Sequence, residues 1–275
     1  RALADMSQDI DRVLHGLDSQ IIAACDEGEL AILSSEIRKM TVRLRQAADS
    51  QHRERMQLAD AMADISHQLR TPLTAINLTL SMLGREGLPE QERRALLQEL
   101  RRLVTRMEWL VETLLKMSRI DAGAVSFREE SCRAADIIQR AVQPLAVPME
   151  LRGITLETAA GEECFTGDAA WSAEALGNVL KNCMEHAASY IRVSARETAL
   201  FTEITVRDDG PGFRAEDLPR LFERFYRGKD AAPASVGIGL ALARMVLSAQ
   251  NGTIRADNAC PGGALFTLRW YRSTV

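Results

Sequence analysis

Apolar residues recur along the first part of the chain at Leu30, Ile37, Leu44, Leu58 and Ile65, with Leu33, Met40, Ala47 and Ala61 filling a second seam position. This is a heptad, the period of helices that pack on partner helices. Gln51 and Glu54 are its interruptions and no proline precedes Pro72, so a nearly continuous helix is predicted from about Glu29 into the segment around His67. After Gly84-Arg85-Glu86-Gly87-Leu88-Pro89, the residues Leu96, Leu100, Leu103, Met107, Leu110, Leu114 and Met117 alternate spacings of four and three. Two antiparallel helices joined by a turn follow. A hairpin with seams this apolar cannot bury itself alone, and pairing into a dimeric four-helix bundle is the simplest remedy, so a homodimer is expected. Ahead of it, Ile10, Val13, Leu17 and Ile21 allow an amphipathic helix, joined to the next through Asp26-Glu27-Gly28-Glu29.

Beyond Asp121-Ala122-Gly123-Ala124, read as a hinge, heptads give way to short strands separated by helices. Helices are predicted over Ala134 to Val147, Ala170 to about Ala187 and about Ile238 to Gln250. Strands are predicted near Gly153 to Glu157, Glu163 to Gly167, Tyr190 to Ala195, Leu200 to Arg207, Thr253 to Ala256 and Ala264 to Tyr271. The expected fold class is α+β: a helical-hairpin dimerisation domain, then an α/β sandwich with helices covering one face of a mixed sheet.

At 275 residues the chain is too long for most single cores, in keeping with two compact units and a connector. A net charge of -4 supplies no field to hold a polyanion, so no nucleic-acid partner is expected. The five cysteines, Cys25, Cys132, Cys164, Cys183 and Cys260, are odd in number and never spaced C-x-x-C, which supports neither a zinc site nor a disulfide framework. No stretch approaches the ~20 apolar residues of a membrane span. The chain opens at Arg1, so it is read as a cytoplasmic fragment whose parent would reach the cell membrane only through a missing N-terminal segment.

Four pieces carry candidate chemistry: Ser66-His67-Gln68-Leu69-Arg70-Thr71-Pro72-Leu73, Asn178-x-x-x-Asn182, Asp208-Asp209-Gly210-Pro211-Gly212 and Gly237-Ile238-Gly239. A histidine in mid-helix is usually surface or satisfied core, and a lone Gly-x-Gly is common. Together and in this order they read as a nucleophilic histidine on one domain and an ATP pocket on another. Neutral imidazole accepts phosphoryl groups near neutral pH because one ring nitrogen keeps its lone pair. Pro72 removes the amide bond to the Gln68 carbonyl, so the helix should kink or loosen one turn beyond His67. In the strand ending at Asp208, alternation puts Ile204, Val206 and Asp208 on one face and aims the carboxylate into the pocket floor.

These residues resemble the sensor histidine kinases of two-component systems, whose dimerisation domain carries a Ser-His-acid-Leu-Arg-Thr-Pro-Leu box. The downstream pieces resemble the ATP-binding domain those kinases share with DNA gyrase, a heat-shock chaperone family and a mismatch-repair protein. The resemblance divides the chain into a HAMP-like helical linker over 1–55, a dimerisation and phosphotransfer domain over 56–123 and an ATP-binding domain over 124–275. It implies that ATP with Mg²⁺ phosphorylates His67 and that an aspartate of a response regulator receiver domain then takes the phosphoryl group.

Gln68 stands where the family has an acid; it can orient the ring but cannot take a proton, and Asp64, three residues earlier on the same helical face, is the candidate substitute. Thr71 occupies the position from which family members orient water to dephosphorylate their partner. By resemblance Asn182 is the metal ligand with Asn178 in support, neutral amide oxygens suiting Mg²⁺. His186 lies beside the nucleotide, while Glu185 replaces a phosphate-directed lysine, a contact that Lys181 or a lid arginine could supply. Asp208 accepts the exocyclic amine of adenine, and Gly210 and Gly212 let the backbone turn beneath the base.

The Leu221-Phe222-Glu223-Arg224-Phe225-Tyr226-Arg227-Gly228 run matches the family's phenylalanine-rich box before a lid reaching about Ser235, with Arg224 and Arg227 as phosphate contacts. Gly237 and Gly239 open a helix whose free amides face phosphates. Several segments, among them Trp109-Leu110-Val111, resemble Gram-positive envelope-stress or vancomycin-resistance sensors in particular. Two alternatives stand beside the kinase: a protein acting mainly as phosphatase of its phosphorylated partner, and a dimeric scaffold with a vestigial pocket.

Overall fold

The computed structural model describes residues 28–85, 87–228 and 235–272. The helix expected around Ile10 to Ile21 and most of the lid, residues 229–234, lie outside the described residues, as do the side chains of Leu30, Leu33, Leu58 and Ala61. The chain divides into two compact units, Arg1–His67 and Gln68–Val275.

Helix α1 runs Gly28–Leu83 and carries Pro72 within it. The heptad therefore does form one helix, and it continues past the proline. In the first unit the seam residues Met40 and Leu44 are exposed in the single chain.

In the second unit, a turn leads from α1 to α2, Glu90–Asp121. Leu103, Leu110 and Met117 of the predicted seam are buried, and Leu96, Leu100, Met107 and Leu114 are half-buried. A second stripe, Leu97, Val104, Val111 and Leu115, is 41–59% exposed. On the first arm of the hairpin Leu73, Leu78 and Leu80 are exposed as well, while Pro72 and Thr79 are buried.

The rest is an α/β sandwich. Strand β1 (Glu130–Arg133) leads into α3 (Ala134–Val142), a 3-10 turn and α4 (Ala146–Leu151). Then come β2 (Thr155–Ala159), β3 (Cys164–Gly167), α5 (Ala169–His186), β4 (Tyr190–Glu197) and β5 (Phe201–Asp208). Helix α6 (Gly239–Ala249), β6 (Gly252–Asn258) and β7 (Ala264–Tyr271) close the domain. The main sheet has the order β2-β4-β5-β7-β6, with β2 and β4 parallel and every other pair antiparallel. β1 and β3 form a separate antiparallel pair.

Strand β1 is not predicted. Its sequence, Glu-Ser-Cys-Arg, turns only Cys132 inward, and pairing with β3 rather than any local alternation defines it. The helix expected over Ala134 to Val147 is interrupted by the 3-10 turn, where Pro144 cannot donate an amide hydrogen bond.

Alternation builds the core. Ile191 and Val193, Ile204 and Val206, and Phe266, Leu268 and Trp270 turn to the helix layer and are almost wholly buried. Trp270 stacks on Phe165 at 4.1 Å between ring centroids. In that layer α5 lies between α3 and α6, and α2 of the hairpin packs on α6, so Leu110 and Met117 join the same cluster. The opposite face is polar, and there Glu203 is buried between Arg196 and Arg269 at 2.9 and 2.5 Å.

Candidate nucleotide site and phosphoacceptor helix

Helix α5 is set by its first and last turns. Asp168 caps it, Oδ1 accepting from the amides of Ala170 and Trp171 at 3.0 and 3.1 Å. Leu176, Val179, Leu180 and Cys183 are fully buried against the core. The other edge, Asn178, Lys181, Asn182, Glu185 and His186, is half-buried and lines a cavity of about 360 Å³. Asn178 Nδ2 donates to the Glu174 carbonyl at 2.9 Å, which leaves its amide oxygen free to face away from its own helix.

The floor is Asp208, at the end of β5 and only 1% exposed. Its Oδ1 accepts from the amides of Gly210 and Ala264, both at 2.9 Å. Its Oδ2 is buried with no hydrogen-bond partner among the described residues. A buried carboxylate oxygen left without a donor is costly. Its neighbour Cys183 offers only a weak thiol donor, and burial first, then the Asp208 charge, push that thiol well above its ordinary range. The orphaned oxygen suits a ligand amine.

The loop after β5 is held by Asn258, which accepts from the Phe213 amide at 2.6 Å and donates to the Phe213 carbonyl at 2.7 Å. Next to Asp208, Asp209 faces away from the floor and ties β5 to the start of β4. It accepts from the amides of Ala188, Ser189 and Tyr190 and from Ser189 Oγ. Burial acts to raise this carboxyl, but the hydrogen bonds outweigh it and bring it down to about 2.

The far wall is the turn into α6. Gly237 has φ +76°, a region that disfavours side chains, and a Cβ there would strike the Tyr226 carbonyl. A Cβ on Gly239 would sit 2.8 Å from Asn178 Oδ1. No side chain caps α6, so its first amides are open to an anion. Tyr226 donates to Asp217 Oδ1 at 2.6 Å, a bond that raises its phenol, and Arg220 lies over its ring at 4.3 Å.

Of the predicted nucleotide contacts, Asn178, Asn182, His186, Asp208, Gly212, Arg227, Gly237 and Gly239 line this one cavity. Gly210 and Arg224 do not. Gly210 lies against the His186 carbonyl, too close for any side chain. Arg224 reaches the hinge instead, its guanidinium 2.7 Å from the Asp121 carboxylate and 3.4 Å from Met245 Sδ. Residues not anticipated at the cavity include Trp109, Phe213, Arg214, Asp217, Tyr226 and Ala264. Trp109 sits between two seam positions in the hairpin, where nothing local announces a pocket wall.

Asp64, His67 and Thr71 are exposed on α1, and Gln68 is half-buried. Ser66 Oγ bonds the Met62 carbonyl at 2.8 Å, and Thr74 Oγ1 the Arg70 carbonyl at 2.9 Å, so these hydroxyls satisfy the helix rather than the ring of His67. No helix among the described residues is long and apolar enough to cross a membrane.

Residues 57–123 match the family model of the His Kinase A (phospho-acceptor) domain, and residues 167–274 that of the histidine kinase-, DNA gyrase B-, and HSP90-like ATPase. Among curated proteins, the signal transduction histidine-protein kinase AfsQ2 of Streptomyces coelicolor is 34% identical over 225 residues, 76% of this chain and 41% of that protein. The histidine-protein kinase/phosphatase MprB of Mycolicibacterium smegmatis is 31% identical over 275 residues, 96% of this chain and 53% of that protein. The chain thus spans about half the length of the curated relatives it matches. Among solved structures, the Acinetobacter baumannii histidine kinase AdeS superposes with a TM-score of 0.62 at 20% identity, over 76% of this chain and 98% of that one, a likeness of fold.

Proposed function

We propose that this chain, which carries a His Kinase A phospho-acceptor domain followed by a histidine-kinase-type ATPase domain, is the kinase core of a two-component sensor. In this reading ATP donates its γ-phosphoryl group to His67, and a response-regulator aspartate then receives it. The observation that carries the reading is the unpartnered buried Oδ2 of Asp208, at the floor of a cavity walled by two asparagines and an uncapped helix start. Adenine presents a donor to that oxygen; guanine presents an acceptor. A vestigial pocket in a scaffold has no reason to keep the cost of such a group.

Asn182, with Asn178 in support, would hold Mg²⁺, whose charge neutralises the phosphates when bound. Arg227, Gly237 and Gly239 face the phosphate side. Loss of a general base costs typically ~100- to 10,000-fold, but phosphoryl transfer owes most of its acceleration to positioning and electrostatics. Gln68 therefore slows transfer to His67 without abolishing it, and Asp64 supplies the base.

The exposed stripe Leu97, Val104, Val111 and Leu115, with Leu73, Leu78 and Leu80 on the other arm, supports pairing of two hairpins into a bundle. We place the working boundaries at 1–55 for a HAMP-like linker, 56–123 for the phosphotransfer domain and 124–275 for the ATPase. The narrower kinship is with envelope-stress and vancomycin-resistance sensors.

Gln68 together with the kinase/phosphatase name of the MprB relatives favours a second reading, in which Thr71 orients water and dephosphorylation of the partner dominates. Incubation with γ-labelled ATP and Mg²⁺ tests both. Acid-labile label on the wild type, lost in His67→Gln and in Asn182→Ala, supports the kinase. Label that never forms, with nucleotide still bound, leaves only the phosphatase; neither label nor bound nucleotide sinks both.

A further inference from the structure

Glu185 puts a negative charge in the wall of the cavity, one helical turn beyond Lys181. Lys181 is half-buried, shares the cavity edge of α5 with Asn178 and Asn182, and is the lysine among the cavity-lining residues. Its ammonium rests 4.3 Å from the centroid of the Trp109 ring. Trp109 belongs to α2 of the hairpin, and it too lines the cavity.

A second contact fixes the register. Lys116 of α2 pairs with Glu174 of α5 at 2.8 Å. The two contacts are seven residues apart on each helix, so α2 and α5 pass each other in opposite directions, in step over two turns. One turn further, Arg106 on α2 lies within the electrostatic reach of both Glu185 and Arg227. The carboxylate in the cavity wall thus has a cation of the hairpin within its field in addition to Lys181.

We propose that Lys181 is the residue of α5 that binds the nucleotide's polyphosphate, and that the Trp109 ring is the seat its ammonium leaves when the phosphates arrive. The assignment rests on the nucleotide reading above. A cation–π seat on a partly wet ring is a weak hold. A charge-assisted hydrogen bond to a multiply charged phosphate is stronger, and the four-carbon stem lets the ammonium swing between them. Phosphate capture therefore draws one side-chain contact off the hairpin and couples nucleotide occupancy to the side-chain bridges between α2 and α5.

The test compares binding of ATP·Mg²⁺ and of adenosine, which lacks phosphates, to the full chain by calorimetry. Lys181→Gln should weaken ATP by about tenfold or more and leave adenosine within about twofold, while Lys181→Arg keeps most ATP affinity. Trp109→Leu should tighten ATP a fewfold in the wild-type background and lose that effect in Lys181→Gln, a coupling a merely structural tryptophan would not show. An unchanged ATP-to-adenosine ratio in Lys181→Gln overturns the lysine assignment, as does an equal loss of both ligands. An effect of Trp109→Leu that persists without Lys181 overturns the seat. A wild type that binds neither ligand overturns the nucleotide reading itself, and this proposal falls with it.

Discussion

Replacing Asp208 with Asn probes the floor of the cavity with almost no change in shape. The amide oxygen of Asn can keep both bonds that Oδ1 now accepts from Gly210 and Ala264. That orientation puts the new NH₂ where the orphaned Oδ2 stands, so a donor meets the exocyclic amine of adenine. The lost charge-assisted bond costs about 1.5–3 kcal/mol and the stranded buried donor about 1–3 kcal/mol more. A sum of about 2.5–6 kcal/mol corresponds to roughly a seventy- to twenty-five-thousand-fold rise in the ATP dissociation constant. GTP, whose O6 accepts, should lose far less, so the preference for adenine shrinks or inverts. Competition of ATP and GTP against a fluorescent nucleotide measures both constants, and a melting curve checks that the variant is folded. ATP affinity within about threefold of wild type, or equal losses for the two nucleotides, would refute the role given to Oδ2.

Three further outcomes follow from the contacts described. Arg224→Ala should leave ATP affinity within about twofold, because an exposed pair with Asp121 is worth little and lies off the cavity, whereas Arg227→Ala should weaken it about tenfold; titration of both variants decides. Asp209 has a folded pKa of about 2 against its ordinary 3.8, so its stabilisation is complete above about pH 4 and lost as pH falls toward 2. Asp209→Asn should lower the melting temperature at pH 7 and flatten the acid limb of the melting-temperature profile. Glu at both Leu97 and Val104 should weaken self-association by more than about a hundredfold, since each would bury an unpaired charge; light scattering across a concentration series reads the mass.

What could be read along the chain and what could not divide by the range of the interactions. Periodicity is local, so the long helix through His67, the seam of α2 and the alternating strands of the main sheet are visible in sequence. So are the cavity-lining asparagines, which a single helix places four residues apart. Strand β1 exists only through its partner β3, and Cys132 alone does not make an alternation. The roles of Arg224 and Trp109 depend on residues 103 and 72 positions away, at Asp121 and Lys181, and no window of sequence contains both ends.

The same distinction explains how the cavity tolerates Glu185. A carboxylate facing phosphates looks prohibitive along α5 alone. In the folded chain the field of Arg106 reaches it from the hairpin, and Lys181 stands one turn back on its own helix. Electrostatic balance at this site is thus a property of packed elements, not of a motif. Because Arg106 and the wall residue Trp109 belong to the hairpin, a change in the side-chain contacts between α2 and α5 changes the field inside the cavity.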